Sequence, residues 1–246
     1  MTNIVLLNNV DHHGLRVVTR HAAQFGDSVN QMLIFPTEYD EVQREYPILF
    51  RKDANGEFQS VALLGLERDE NLFLGEHGWE GRYVPAVQQR GPFSIALPAG
   101  DDAGRAEPMI HVDLDDPRIS DKSGEPLFLP HGGNAPQLER VAAALRTIYS
   151  GLEVSKPMFA AFEEAGLIEP VLLEIKLSDA EQYNVSNYYT IGEDRLAALD
   201  AAWLDRLHRG GFLRSAFSVV SSLRNVSRLI DIKNRKRGIS APPVAA

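Results

Sequence analysis

Apolar residues in the first half of the chain fall in short or alternating runs, at 4–7, 15–18 and 29–35, separated by clusters of His, Gly, Asp and Asn. That pattern predicts strands joined by turns. Pro36 and Thr37 then open a short helix over about 38–44, with Thr37 as its N-cap and acidic residues in its first turn. Pro47 biases Tyr46 toward extended backbone and ends that helix. Residues 47–51 and 58–64 flank Asp53-Ala54-Asn55-Gly56, which predicts an antiparallel hairpin with Asn-Gly at its tip. Residues 93–97 and 109–114 read as two further strands around the Pro98 to Pro108 segment, which the composition marks for disorder. The stretches 67–90 and 115–136 are too polar and glycine-rich for regular structure.

From Gln137 the period changes. Leu138, Val141, Leu145, Ile148, Tyr149 and Leu152 recur at helical spacing, and a second helix is predicted over about 156–165, closed by Gly166. Residues 171–177 read as one more strand, with a polar turn leading to an extended 188–191. A helix follows over 193–209, with Leu196, Leu199, Trp203, Leu204 and Leu207 on one face. Gly210-Gly211 separates it from a last helix over 212–235. The implied fold is α+β: a mostly antiparallel sheet or partial barrel from the N-terminal half, covered by C-terminal helices. A cupin-like barrel is the fold-level alternative. The organisation is one domain over 1–238, β-rich over 1–136 and helical over 137–238, with a disordered tail over 239–246.

Composition narrows the function. With 246 residues and 44% apolar content the chain can bury a substantial core. No apolar run reaches a membrane span, and the N-terminus lacks a basic region and cleavage site, which predicts a cytoplasmic protein. The absence of cysteine excludes disulfides, thiolate metal sites and a cysteine nucleophile. A net charge of −9 argues against nucleic acid as a partner. Only the C-terminus is basic, with Arg224, Arg228, Lys233, Arg235, Lys236 and Arg237, which suits the negative end of a helix dipole.

Two constellations could carry chemistry. In the loop after the hairpin, Trp79, Arg82, Tyr83 and Arg90 could form a pocket whose aromatic faces take an apolar or extended ligand and whose arginines take carboxylates. Glu38 and Asn71 would orient those arginines or cap local backbone. The bland reading is that Trp79 and Tyr83 anchor the loop to the sheet. Separately, His111 and Asp113 share one face of a predicted strand, and with His131 they would complete the ligand set of a mononuclear Fe(II), 2-oxoglutarate-dependent oxygenase. The spacing is atypical for that chemistry. His12-His13 reads as a polar turn and His208 as a helix-end cation. Nucleophile elbows, phosphate-binding loops and dinucleotide fingerprints are absent from the sequence.

A series of small matches in one order resembles the bacterial SapC family. They are Glu38, Tyr46-Pro47-Ile48, Gly65-Leu66, Asn71-Leu72-Phe73, Gly78-Trp79, Tyr83-Val84-Pro85 and Pro92-Phe93 in the first half. Gly124-Glu125-Pro126-Leu127-Phe128, Gly166-Leu167-Ile168-Glu169-Pro170, Leu207-His208, Gly211-Phe212-Leu213 and Ser222-Leu223 continue the series. Gly91 departs from the family's tendency to carry a larger residue there. The resemblance implies little mechanism. It places similar proteins beside TonB-dependent receptors, tryptophan halogenase-like proteins and cupin-like hydroxylase relatives. It therefore suggests an accessory or binding protein in a receptor-associated or surface-associated modification pathway, recognising a peptide, a protein or a small ligand. Self-association to a homo-oligomer is open. The alternatives are an iron hydroxylase and a surface-layer-associated structural protein.

Overall fold

Asp53 organises the first hairpin. In a computed structural model, which describes residues 3–96, 109–178 and 181–238, its carboxylate accepts from the backbone N–H groups of Asn55 and Glu57 at 2.8 and 2.9 Å. Gly56 takes the left-handed conformation, with φ +82°, that closes the loop. The paired strands are β4 (Ile48–Lys52) and β5 (Phe58–Leu63), in the register Leu49 opposite Val61. Before them lie β1 (Ile4–Leu6), β2 (Arg16–Val17), β3 (Gln31–Ile34) and the one-turn helix α1 (Tyr39–Val42). Thr37 does not cap that helix: its exposed hydroxyl donates to the Thr147 carbonyl, and the Glu38 carboxylate accepts from the Phe35 N–H instead.

The region expected to be irregular carries small elements, namely β6 (Leu74–Gly75), β7 (Gly78–Trp79) and α2 (Ala86–Gln89). Then come the two expected strands, β8 (Phe93–Ala96) and β9 (Met109–Asp113), which pair with each other, and the two-residue strands β10 (Ile119–Ser120) and β11 (Glu125–Pro126). The segment marked for disorder and the tail lie outside the described residues.

A single helix, α3 (Pro136–Glu164), replaces the two helices the sequence predicts. Pro157 lacks the N–H that would bond the preceding turn, yet Met158, Phe159 and Phe162 beyond it are buried. The Phe159 ring lies 5.0 Å from Phe50 and 5.7 Å from Phe58. Packing onto the sheet outweighs the lost bond and keeps the helix running. Two long strands follow, β12 (Ile168–Ser178) and β13 (Glu181–Ile191), where the sequence predicts shorter ones. The cover is α4 (Glu193–Ala197), α5 (Ala201–Arg209), α6 (Phe212–Ser222) and α7 (Asn225–Lys236). Asp200 splits the expected 193–209 helix, because its carboxylate caps α5 by accepting from the Trp203 N–H at 2.8 Å.

Every strand pair is antiparallel among the described residues. The main sheet has the order β12-β13-β4-β5-β3, with smaller sheets β1-β9-β8 and β10-β2-β11 and the ribbon β6-β7. The N-terminal strands curl into a half-barrel, so the α+β architecture is the expected one. Two cores result. The larger lies on the main sheet under α3 and α4 to α7, and the smaller gathers Val17, Phe93, Val112, Leu127, Leu138 and Val141. The long helix serves both, its first half packing on the small core and its second half on the large one.

The basic C-terminal helix is tied to the first half of the chain. Lys233 is 7% exposed and pairs with Glu67 at 2.9 Å and with Glu70, while the Lys236 ammonium donates to the Leu74 carbonyl. Burial alone would lower the Lys233 pKa, but its hydrogen bonds to the two glutamates raise it. Because Glu67 remains half exposed, replacing Lys233 by Met is expected to cost only about 1–2 kcal/mol, below the range for fully buried pairs. Urea unfolding of Lys233→Met against the parent chain checks this, and an unchanged midpoint would contradict it.

Candidate functional site

Two buried glutamates hold the aromatic loop. Glu38 is 3% exposed, and its carboxylate accepts from the N–H groups of Phe35 and Ala86 at 3.0 and 2.9 Å and from the Tyr83 hydroxyl at 2.8 Å. Glu45, also 3% exposed, accepts from the N–H groups of Arg82 and Tyr83 and from the Arg228 guanidinium, the last at 3.0 Å. Tyr46 completes the clasp: its hydroxyl accepts from the Trp79 indole at 2.9 Å and donates to the Tyr83 carbonyl. Gly81 is required here, since a Cβ would collide with the Tyr46 hydroxyl and the Trp79 ring. Burial raises the pKa of Glu38, opposed by its three hydrogen bonds, and also raises those of Tyr46 and Tyr83.

The expected pocket of Trp79, Arg82, Tyr83 and Arg90 takes a different form. Trp79 and Tyr83 commit their polar atoms inward, as anchors. Arg82 is exposed, and the loop uses its backbone N–H. Glu38 orients Tyr83 and the start of α2 and neither arginine. Asn71 caps backbone, donating to the Asp27 carbonyl at 2.8 Å and accepting from the Phe73 N–H at 2.9 Å.

Arg90, at the end of α2, belongs to a cleft of about 180 Å³ beside the smaller core. Arg20, His21, Arg118, Gln137 and Arg140 share its walls, drawn from the segment after β2, the loop before β10 and the first turn of α3. Arg118 is neutralised by Asp116, whose carboxylate accepts from Nε at 2.9 Å and Nη2 at 2.7 Å. Burial would raise the Asp116 pKa, but these hydrogen bonds hold it below the usual carboxylate range. Arg90 differs. Its Nη1 donates to the Phe93 carbonyl at 2.6 Å, and no carboxylate lies within ion-pair distance of it among the described residues. Burial, and after it the charge of Arg118, lowers its pKa. A half-buried guanidinium facing another guanidinium without its own counter-ion is an unfavourable arrangement that an anion would relieve. The positive end of the α3 dipole borders the same space.

Two further features shape the cleft. Asp27, 1% exposed, accepts from the Ala22 N–H and from Gln88, with His21 Nδ1 at 3.5 Å, and so fixes two lining side chains. Gly91 has φ +57°, and a Cβ there would stand 3.7 Å from Arg118 Nη1. Gly91 thus lies against Arg118, whose side chain is 16% exposed.

The iron ligand set does not assemble. Among the described residues no three His, Asp or Glu side chains converge as a metal site. Asp113 caps backbone, accepting from the N–H groups of Asn3 and Asp115. His111 keeps a buried, unpartnered Nδ1 on β9, and His131 is exposed in a turn closed by Leu129 and Gly133. His111 and Asp113 share a strand, but the carboxylate is spent on backbone N–H groups and His131 is exposed. This donor set does not fit an iron ion.

Arg20, His21, Arg118 and Arg140 escape a reading of the sequence, because they come from three separated segments with no common spacing. Only the burial of Arg90 without an acid identifies them as a group.

Fold and site together define an α+β protein with a glutamate-clasped aromatic loop and a cationic cleft beside it. The chain belongs to the SapC family, whose family model matches residues 7–229. No curated protein and no solved structure shows significant similarity to it. Among the described residues no helix is long and apolar enough to cross a membrane.

Proposed function

We propose that this SapC-family protein is an accessory binding protein that recognises an anionic group on a peptide, a protein segment or a small ligand, with Arg90 as the primary contact. The observation that carries this reading is a half-buried guanidinium without a carboxylate partner, in a chain whose net charge is −9. Arginine suits the role because its planar fork pairs with a carboxylate or phosphate through two parallel hydrogen bonds. Arg118, already paired with Asp116, lines the cleft beside it, and the clasped loop holds α2 and therefore Arg90 in place. The receptor- or surface-associated setting rests on the family resemblance alone. Nothing in the geometry favours iron-dependent hydroxylation.

Isothermal titration with succinate and with inorganic phosphate tests the reading. Arg90→Gln should weaken binding at least about tenfold, the loss expected for one charge-assisted hydrogen bond of about 1.5–3 kcal/mol. Its unfolding midpoint should move little, since among the described residues the only hydrogen-bond partner of the Arg90 side chain is the Phe93 carbonyl. Equal affinities for variant and parent, or no binding by the parent chain, would refute it.

A further inference from the structure

The cationic cleft does not end at Arg90. The same side chain also lines a groove of about 700 Å³ that continues along α3 and is walled by Leu33, Val87, Ile95, Leu145, Ile148 and Leu152. That volume lies within the range of small-molecule sites, about 300–1,000 Å³. The lining is apolar apart from Arg90 at one end and Glu153 at the other, with Ser94 and Tyr149 at its sides.

One helix face joins the two spaces. Gln137 and Val141 line the cleft, and Leu145, Ile148 and Leu152 line the groove, so successive contacts are spaced by three or four residues along α3. At 1.5 Å per residue, Leu152 lies about 16 Å along the axis from Val141. Leu152 is 57% exposed, a large apolar side chain left at the open end of an apolar channel. Charge is arranged along the same line. Arginines stand at the cleft end, while Glu153 at the far end would repel a second anionic group.

We propose that cleft and groove are one site for an anionic amphiphile, a free medium-chain carboxylate whose headgroup pairs with Arg90 and whose chain lies along α3. This rests on the anion-binding reading above and names its ligand class. The headgroup gains a half-buried cation that lacks a carboxylate, and the chain covers apolar surface that water otherwise wets. A phosphate or a short dicarboxylate would engage only one end.

Titration of the full chain with decanoate and with butyrate, both below their aggregation thresholds, decides the matter. Decanoate should bind about a hundredfold or more tighter than butyrate, because its additional methylenes are buried. Ile148→Gln should cut that advantage about tenfold, and Arg90→Gln should weaken both ligands about tenfold. The folded state of each variant is checked by its thermal unfolding midpoint. If phosphate binds but decanoate binds no tighter than butyrate, the amphiphile proposal is overturned while the anion-binding reading stands. If no anion binds, both fall. Binding to phosphatidylglycerol vesicles without binding of monomeric decanoate would overturn the free-carboxylate assignment in favour of a membrane surface. A dimer in sedimentation that Leu152→Glu dissociates, with no decanoate binding, would overturn it in favour of a second copy of the chain.

Discussion

Replacing Glu38 by Ala is expected to lower the unfolding free energy by about 3–5 kcal/mol, through three donors left without an acceptor. The N–H groups of Phe35 and Ala86 and the Tyr83 hydroxyl all end on this one carboxylate, which is 3% exposed. Water cannot enter to replace it without opening the clasp, so each donor contributes a desolvation cost of about 1–3 kcal/mol. Trp79 sits on the same clasp through Tyr46, so its fluorescence should report the loosening before global unfolding. Urea unfolding followed by Trp emission measures the loss, and a change below about 1 kcal/mol would show that the clasp is not held by Glu38.

The same residue sets a pH dependence whose sign can be stated. Burial raises the Glu38 pKa in the folded chain above its ordinary value of 4.5. Between the unfolded and folded values the native state binds more protons, so this group's contribution to stability is complete below the ordinary value and is lost as pH rises through the folded one. The stability difference between the parent chain and Glu38→Gln should therefore shift against the parent as pH rises across that window. A difference that is flat with pH would mean that the three hydrogen bonds cancel burial, and one that moves the other way that they outweigh it.

Substituting Gly151 by Val is the second large effect, expected to cost about 3 kcal/mol or more. Gly151 is buried in the middle of α3 where the helix crosses the segment before α1, and a Cβ there would collide with the Phe35 Cβ and the Thr37 hydroxyl oxygen. Both neighbours are held in place, Phe35 through its N–H bond to Glu38 and Thr37 through its bond to Thr147. The helix must therefore lift. Because α3 joins the two cores and forms one wall of the cleft, thermal unfolding should fall sharply and anion binding should weaken with it. A variant of unchanged midpoint would show that the crossing has slack that the packing does not suggest.

How much of this was legible in the sequence depends on how local the cause is. The Asp53 to Gly56 turn, the strands on either side of it and the existence of β8 and β9 follow from residues adjacent in the chain. The helix boundaries do not. Pro157 reads as a stop, but Phe159 and Phe162 gain enough contact with Phe50 and Phe58 to carry the helix through it. The cap at Asp200 breaks a run whose apolar spacing looks continuous. Within the candidate site, the aromatic residues signalled a pinned loop, and pinning is what they do. The functional weight moves to Arg90, because only folding reveals that Trp79 and Tyr83 face inward and that Arg118 and Arg140 arrive from elsewhere. His111, Asp113 and His131 mislead for the complementary reason. Their residue types match a ligand set while their backbone surroundings use or expose them separately.

The central claim, that a half-buried Arg90 awaits an anion, is tested most directly by following the arginine Nε–H resonances during a titration with inorganic phosphate. A bound phosphate should give saturable shifts led by Arg90, with Arg118 following because it lines the same cleft, and with Arg228 unmoved because it lies outside that cleft, on Glu45. Shifts spread over the exposed arginines of the C-terminal helix, with Arg90 silent, would contradict it.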